Sequence, residues 1–401
     1  MDKLKVAIID DGVNRELFNF NKNIINYKIL DGKIIYDFEQ NTKCEISHGT
    51  ICTYIFYNYA SNYELYSIKI IENLESGTEI KNLIIALQWC LENDIQLINM
   101  SIGTTNFNDF IYLEKYINKL CESGIIIVAA CRNNGAITYP ACLHNVIGVR
   151  YDNMNILKEG EYIWNSSSCH GIDITTSCNY KFRKLNKHIE IIKCNSFATP
   201  FIAAKVCNLM NKGIFSLNEI KKKLRNNSAY EIKNSLYFLE KKYIYMKNNI
   251  GMKIEVPNVV IVNKSFFDIK NTLIQLIKKV REDGYYGVAL YDRFKRTSIE
   301  NGIFKIENDD TSVIETISNK VELLYFWIQP DIIFTIVNNK EELYQLKKDN
   351  LIDILVCLYG ETVEENYESY CENIIKVYTN KEKVNVYNIF KNIKKSLLFN
   401  Q

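Results

Sequence analysis

The sequence predicts an α/β protein in which a parallel sheet flanked by helices is followed by a smaller α/β domain. Apolar runs of strand length alternate with segments of helical spacing along the first half of the chain. Strands that are joined by single helices run parallel, and the helices then cover both faces of the sheet. A second alternation of the same kind begins at Pro257.

The first region supplies the larger sheet. KVAIID is a strand that ends in acids, and the apolar positions from Ile80 to Leu91 follow helical spacing. The next buried-strand patterns are IQLINMSIG, GIIIVAA and NVIGV, with a helix over 109–122 between the first two. Open parallel sheets place their sites beyond the carboxyl ends of the strands. The acidic or small polar residues that follow strand ends here are Asp10, Ser101 and Asn133.

The second region predicts a separate small domain. Its strands are VPNVVIV, YYGVALYD, PDIIFTIV and LIDILVCLYG, and its helices are DIKNTLIQLIKKVRED and KEELYQLKKDN. It contains neither GxxxxGK nor GxGxxG, so a phosphate-binding role lacks its motif. We expect the first domain over 1–228, a connector over 229–256 and the C-terminal α/β domain over 257–401.

Composition argues against several classes of function. A formal net charge of +2 creates no global field that favours nucleic acid or a membrane surface. No segment approaches the roughly 18 uninterrupted apolar residues of a membrane span, and the start of the chain has no signal-peptide pattern. Twelve cysteines in a chain without an export signal predict reduced thiols, not a disulfide framework. The lack of a CxxC pair argues against a structural zinc site. We therefore expect a soluble cytoplasmic protein that binds neither nucleic acid nor membrane.

Four short segments carry candidate catalytic side chains. VAIIDDG places Asp10 at a strand end, and SHGT places His48 before an apolar helical run. VAACRNNG places Asn133 after a buried strand, and NSFATP places Ser196 at the start of a helix. Each has an ordinary explanation when taken alone, because serine is a preferred helix N-cap and Asp-x-Gly is a common turn. The candidate bases are the four histidines of the chain: His48, His144, His170 and His188.

Together these segments resemble the subtilisin-like serine peptidases. The family's H-G-T motif is intact at His48–Thr50, its N-M-S-x-G motif at Asn99–Gly103 and its Y-P-A element at Tyr139–Ala141. The motif D-[ST]-G stands here as D-D-G, A-A-A-G-N-x-G as A-A-C-R-N-N-G, and G-T-S-x-A-x-P as C-N-S-F-A-T-P. The order Asp, His, Ser along the chain is the subtilisin order. The resemblance covers the first half of the chain only.

The resemblance implies a Ser-His-Asp mechanism without metal or organic cofactor. Ser196 would be the nucleophile, which needs an adjacent base because a serine hydroxyl is a poor nucleophile at neutral pH. His48 would accept and return the proton, and Asp10 would hold the His48 tautomer. The Asn133 amide and the Ser196 backbone N–H would stabilise the oxyanion. The partner implied is a peptide or protein substrate.

The resemblance also places a set of residues beside the substrate: Ser101, Ile102, Gly103, Ala130, Arg132 and Thr138. Arg132 and Thr138 stand where the family usually or often has glycine, which predicts a pocket too narrow for large aromatic side chains. Arg132 either reaches into the pocket, where it favours a small, polar or acidic residue before the cleaved bond, or points out to solvent. A glycine before the nucleophile permits tight backbone geometry, so Cys194 puts the expected oxyanion geometry in question. We interpret Asp11, beside Asp10, as a solvated turn residue.

These features predict an intracellular serine endopeptidase of narrow specificity. The Asp motif begins so early in the chain that we expect neither an export signal nor a folding prodomain before it. Short intracellular subtilases often remove leader segments, so maturation of a ribosomally made precursor peptide is the working hypothesis. General cytoplasmic protein turnover is a second enzymatic hypothesis. Two non-catalytic hypotheses stay open as well: an inactive relative, and a binder that pairs an extended peptide with the Ser101–Gly103 edge.

Overall fold

The chain forms two compact units, Met1–Ser235 and Leu236–Gln401. The division falls inside the connector predicted over 229–256. The computed structural model describes the following residues: 3–15, 24–37, 46–71, 80–133, 137–153, 155–166, 171–180, 192–232, 244, 247–248, 253–264, 269–293, 297–298, 301–306, 314–360, 366–378 and 385–398.

The first unit is built on a ten-stranded sheet. Its strands are β1 (Leu4–Asp10), β2 (Ile24–Leu30), β3 (Lys33–Tyr36), β4 (Tyr63–Lys69), β5 (Leu97–Met100), β6 (Ile126–Ala130), β7 (Ile147–Tyr151), β8 (Tyr162–Asn165), β9 (Ile174–Thr176) and β10 (Tyr230–Ile232). They pair in the order β10-β8-β9-β7-β6-β5-β1-β4-β2-β3. Pairs β2–β3 and β8–β9 are antiparallel, and the other neighbours are parallel. The predicted parallel sheet is confirmed.

Two groups of helices accompany this sheet. The helices are α1 (His48–Tyr59), α2 (Ile80–Glu92), α3 (Phe107–Glu122), α4 (Asn195–Met210) and α5 (Leu217–Asn226). Helix α4 packs against α1 and against β5, β6 and β7, whereas α2 packs against α3. Because α4 has neighbours on several sides, most of its length is buried and apolar residues occur all round it.

The second unit is a smaller α/β fold, as predicted. Its strands are β11 (Asn258–Lys264), β12 (Gly287–Leu290), β13 (Ile303–Phe304), β14 (Ile332–Val337), β15 (Ile354–Tyr359) and β16 (Ile374–Tyr378). They form a six-stranded sheet in the order β13-β12-β14-β11-β15-β16, and every pair is parallel. Its helices are α6 (Ile269–Glu282), α7 (Ile317–Ile328), α8 (Lys340–Lys348) and α9 (Val386–Leu398). Helix α6 packs against α9, and α7 packs against α8.

Strand register brings three loops of the first unit to one edge of its sheet. Strands β1, β5 and β6 are neighbours, with Ile9 opposite Met100 and Met100 opposite Ala129. Their carboxyl ends therefore coincide, and the residues that follow them meet there.

No helix in the described part of the chain is both long and apolar enough to cross a membrane.

Candidate active site

Asp10 and His48 form a close pair at this edge. Asp10 is the last residue of β1 and is 1% exposed, and His48 is the first residue of α1. The distance from His48 Nδ1 to Asp10 Oδ1 is 2.8 Å, so the ring N–H donates to the carboxylate. Helix α1 begins here because the Ser47 side chain caps it and accepts a hydrogen bond from the Thr50 N–H. The pairing fixes the tautomer of the neutral His48 ring, with the proton on Nδ1 and the lone pair on Nε2.

Asp11 holds the start of α1, and our interpretation of it as a solvated turn residue is wrong. Its Oδ2 accepts from the His48 backbone N–H at 3.0 Å, and its Oδ1 accepts from the Gly49 N–H at 2.7 Å. Burial and the neighbouring Asp10 raise the pKa of the Asp11 carboxyl, while these two N–H groups oppose that rise. Asp11 therefore anchors the backbone of the histidine that Asp10 orients.

Gly49 explains the glycine of the H-G-T motif. A Cβ at this position would lie 2.6 Å from the Gly12 carbonyl oxygen and 3.0 Å from the Asp10 Cβ. A contact under 3 Å with backbone would force α1 away from the end of β1. Glycine at this position therefore allows the close approach that joins His48 to Asp10.

The surroundings of the His48 ring favour its protonated form. Burial lowers the pKa of His48, but the neighbouring Cys52 and Asp10 raise it, and the pKa lies well above its usual 6.5. Burial raises the pKa of Cys52 to about 12, so Cys52 is a neutral thiol near pH 7 and Asp10 is the group whose charge acts there. The Cys194 side chain also forms a hydrogen-bonding contact with the ring. A proton on the His48 ring is therefore stabilised by these neighbours.

Ser196 lies beside this pair, in the first turn of α4. The ring of Phe197, the next residue, stacks on the His48 ring with centroids 4.8 Å apart. Cys52 Sγ contacts both His48 Nδ1, at 3.9 Å, and the Ser196 carbonyl, at 3.6 Å. The Ser196 hydroxyl donates to the Ser101 carbonyl at 3.1 Å. The hydroxyl is thus directed to that carbonyl, and catalytic hydrogen bonds often form only once substrate is bound.

Cys194 and Asn195 are accommodated without distortion of the backbone. Cys194 has φ −152° and ψ 164°, which is extended, so the position does not require glycine. The Asn195 side chain is buried, accepts from the Tyr151 N–H at 2.8 Å and donates to Cys131 Sγ at 3.2 Å. These contacts tie the start of α4 to β7 and to the loop after β6. The two residues before Ser196 thus hold its helix in place.

Asn133 is oriented by the same segment. Its Oδ1 accepts from the Asn195 backbone N–H at 2.9 Å. An amide whose oxygen accepts this bond has its NH₂ end on the other side, where it can donate. The Ser196 N–H lies in the first turn of α4, where a helix supplies no acceptor of its own. Asn133 and Ser196 therefore lie together at the N-terminus of α4, where the helix dipole favours negative charge.

The segment Ser101–Gly103 follows β5 directly and adjoins the segment that contains Thr138. Thr104 and Tyr139 exchange two backbone hydrogen bonds, at 2.9 and 2.8 Å. Ser101 is buried, Ile102 is partly exposed and Gly103 is exposed. A Cβ on Gly103 would lie 2.6 Å from Thr138 Cγ2 and 2.7 Å from the Tyr139 carbonyl oxygen. The glycine thus lets the two segments come together.

Arg132 contacts both the loop after β5 and the segment that contains Thr138. It lies two residues beyond Ala130, the buried last residue of β6, and is itself exposed. Its Nη1 donates to Thr105 Oγ1 at 3.1 Å, and its backbone N–H donates to Thr138 Oγ1 at 2.8 Å. The guanidinium therefore reaches across to the loop after β5.

The remaining histidines and possible metal ligands add little to this site. His144 is exposed, and His170 and His188 lie outside the described residues. Among the described residues, a group with metal-ligand spacing consists of Asp10, His48 and Cys52, whose donor atoms lie within 4.8 Å of one another. Two of these atoms already pair with each other. Sequence reasoning missed Cys52, although its spacing of four residues from His48 on a predicted helix placed both on one face.

Comparison with known proteins identifies the first unit. The family model described as the subtilase family matches residues 1–252. The minor extracellular protease Epr of Bacillus subtilis is 25% identical over 242 residues, which cover 56% of this chain and 35% of that protein. The thermostable alkaline protease of Halalkalibacterium halodurans is 25% identical over 184 residues, which cover 44% of this chain and 48% of that protein. The chain thus spans less than half the length of these two relatives.

One solved structure among those that match is the prenylagaramide maturation protease PagA, with 17% identity and a TM-score of 0.41, over 56% of this chain and 83% of that one. The resemblance that the motifs indicated is confirmed by the family match, which extends from before Asp10 to beyond Ser196 and covers more than half of the chain. The chain belongs to the subtilase family.

Proposed function

We propose that this chain is a serine endopeptidase in which Ser196 attacks the peptide carbonyl. The observation that carries the proposal is the 2.8 Å pair of His48 and Asp10, beside a serine at the N-terminus of α4. His48 accepts the Ser196 proton and later gives it to the leaving amine. Asp10 keeps the imidazole in the required tautomer and stabilises it when it is charged.

The oxyanion is stabilised by two donors at the start of α4. Attack on the carbonyl carbon moves negative charge onto the carbonyl oxygen, which needs donors already in place. The Asn133 Oδ1 accepts from the Asn195 N–H at 2.9 Å, which orients the NH₂ end of the amide to the opposite side, where we place the oxyanion. The Ser196 N–H is the second donor, and the positive end of the α4 dipole adds to both.

The substrate lies between the segments Ser101–Gly103 and Ala130–Arg132, with its cleaved bond above Ser196. Thr138 supports this pocket, since it packs where a Gly103 Cβ would lie and binds the Arg132 N–H. The Arg132 side chain donates to Thr105 Oγ1 at 3.1 Å, which supports a position at one side of the pocket, where it would narrow the space for a substrate side chain. Small residues before the cleaved bond are therefore favoured, and an acidic residue can pair with the guanidinium.

We further propose that the substrate is a specific peptide or protein, with a ribosomally made precursor peptide as the leading candidate. The narrowed pocket supports restricted cleavage over general protein turnover. The cysteines that the structure describes are free thiols, which supports activity in a reducing compartment such as the cytoplasm.

Ser196→Ala tests the catalytic assignment. We expect it to abolish both hydrolysis and labelling by a fluorophosphonate probe. In subtilisin itself, loss of the serine lowers turnover roughly 10⁶-fold. His48→Ala should do the same, whereas the matched control His144→Ala, at an exposed histidine, should keep full activity. Wild-type protein that binds peptides but takes up no probe would instead support the non-catalytic binder.

A peptide-library digest tests the specificity. Wild-type protein should cleave after small or acidic residues, and Arg132→Gly should extend cleavage to larger side chains and reduce any preference for acids. A wild-type preference for Phe, Tyr or Lys would contradict the narrow pocket. An unchanged cleavage pattern in Arg132→Gly would show that this side chain does not contribute to it.

A further inference from the structure

Helix α4 contains a proline four residues after the nucleophile. In an α-helix the N–H of each residue donates to the carbonyl four residues earlier, so position 200 would serve the Ser196 carbonyl. Pro200 lies inside α4 and has no N–H to donate. The helix therefore lacks the regular donor to the Ser196 carbonyl, and a partly buried carbonyl without a donor costs stability.

Ser101 supplies the missing donor from another part of the chain. Its Oγ lies 3.0 Å from the Ser196 carbonyl oxygen, and Cys52 Sγ lies 3.6 Å from the same oxygen. Asn99 Nδ2 donates to Ser101 Oγ at 3.2 Å. An amide NH₂ group can only donate, so the Ser101 hydroxyl accepts from Asn99 and directs its own proton to Ser196.

The same residue contacts Ser196 a second time. The backbone carbonyl of Ser101 accepts the Ser196 hydroxyl at 3.1 Å, while its side chain holds the Ser196 carbonyl. Ser101 is 8% exposed and Asn99 is fully buried, so solvent does not compete freely for these bonds. The nucleophile is therefore held at both its side chain and its backbone by one residue at the end of β5.

We propose that Ser101 is a positioning residue whose hydroxyl replaces the helix donor that Pro200 lacks and so fixes the orientation of Ser196. This inference rests on the proposed peptidase function. Ser196 contributes two groups to that reaction, its hydroxyl and its N–H, and both project from the turn that the Ser101 hydroxyl holds. Without this bond the turn gains freedom, and the hydroxyl and the N–H lose their alignment with His48 and with the oxyanion.

The test is a cycle of variants at positions 101 and 200. Ser101→Ala should lower kcat and the rate of fluorophosphonate labelling roughly 3- to 10-fold, because one neutral hydrogen bond is lost while Cys52 keeps its contact. KM should stay within about twofold of wild type, since the loss acts on the reacting groups. Pro200→Ala restores an N–H opposite the Ser196 carbonyl. Ser101→Ala should therefore lower kcat much less in the Pro200→Ala background, so that the double variant has nearly the kcat of Pro200→Ala alone.

Two controls separate positioning from a general loss of stability. Ser67→Ala removes another buried serine hydroxyl of the same unit, in β4, and should leave kcat unchanged. If Ser101→Ala does not fold, Ser101→Cys keeps a weaker donor, and Pro200→Ala should speed it up in the same way.

The outcomes distinguish this inference from the proposed function. Wild-type protein that neither cleaves peptides nor takes up the probe contradicts the proposed function itself. An active wild type with an equally fast Ser101→Ala variant overturns the positioning role. A double variant as slow as Ser101→Ala shows that replacement of the missing helix donor is not what the hydroxyl does.

Discussion

Replacing Asp11 with alanine should destabilise the first unit and misplace His48, the proposed catalytic base. The change removes both acceptors at the start of α1, the 3.0 Å bond from the His48 N–H and the 2.7 Å bond from the Gly49 N–H. It also removes a negative charge from a helix N-terminus. His48 is the first residue of that helix, so the backbone of the base loses its anchor.

The expected loss is about 2 kcal/mol. Removing a capping side chain costs about 0.5–2 kcal/mol, and loss of a favourable charge at a helix N-terminus adds about 0.3–1 kcal/mol. The two bonds do not contribute their full strength, because burial and Asp10 raise the Asp11 pKa and so penalise the charged carboxylate. In a domain of this size about 1 kcal/mol lowers Tm by roughly 2–4 °C, so Asp11→Ala should lower it by roughly 4–8 °C.

The assay can be confined to the first unit. The three tryptophans of the chain are Trp89 in α2, Trp164 in β8 and Trp327 in α7. In a Trp327→Phe background, tryptophan fluorescence therefore reports on the first unit alone during thermal unfolding. In the same samples kcat should fall more than KM rises, because the base is displaced while the substrate segments are not.

Asp11→Ser provides the matched comparison. Serine is what the family often has at this position, and its single hydroxyl can accept one of the two N–H groups. It should therefore lose roughly half as much stability as Asp11→Ala. A Tm within about 1 °C of wild type for Asp11→Ala would refute the reasoning, since the two bonds would then contribute no net stability. Equal losses of stability in Asp11→Ala and Asp11→Ser would show that stability does not depend on the number of acceptors at this position.

Three further predictions concern the proposed mechanism and the second unit. Asn133→Ala should lower kcat roughly 10²–10³-fold with little change in KM, and the reverse pattern would make Asn133 a substrate contact. Since only neutral imidazole can accept the Ser196 proton and the His48 pKa is raised, kcat/KM should rise with pH through a midpoint above 6.5. Asp10→Asn should move this midpoint down, and a wild-type midpoint at or below 6.5 would contradict the raised pKa. A fragment over 256–401 should be soluble, folded by circular dichroism and without hydrolytic activity, whereas an unfolded fragment would indicate that its core needs the first unit.

The strands that the sequence predicted include long apolar runs that are buried on both faces. β6 and β15 are apolar throughout, and a continuous apolar run between turns is the pattern of a central parallel strand. It did not predict β2 or β4, whose sequences IINYKIL and YELYSIK mix tyrosine and charged residues with apolar ones. These strands are only partly buried, and their pairing with β1 and each other depends on distant parts of the chain. Local composition carries little of that information.

The sequence likewise predicted some residues of the candidate site and missed others. The motifs located Asp10, His48, Asn133 and Ser196, because the resemblance fixes their order and spacing. They did not reveal Asp11 as an anchor, since its role depends on N–H groups 37 and 38 positions along the chain. A contact between residues so far apart becomes visible only when β1 and α1 have been brought together.

Two departures from the family's motifs, Asp11 and Asn195, support the proposed reacting groups and leave those groups themselves in place. Asn195 ties the start of α4 to Tyr151 and Cys131, and its backbone N–H orients the Asn133 amide. A substitution at Asn195 should therefore disturb the orientation of the Asn133 amide, although the Asn195 side chain itself contacts Tyr151 and Cys131. Because such contacts act through backbone position, their loss should appear in kcat before it appears in substrate binding.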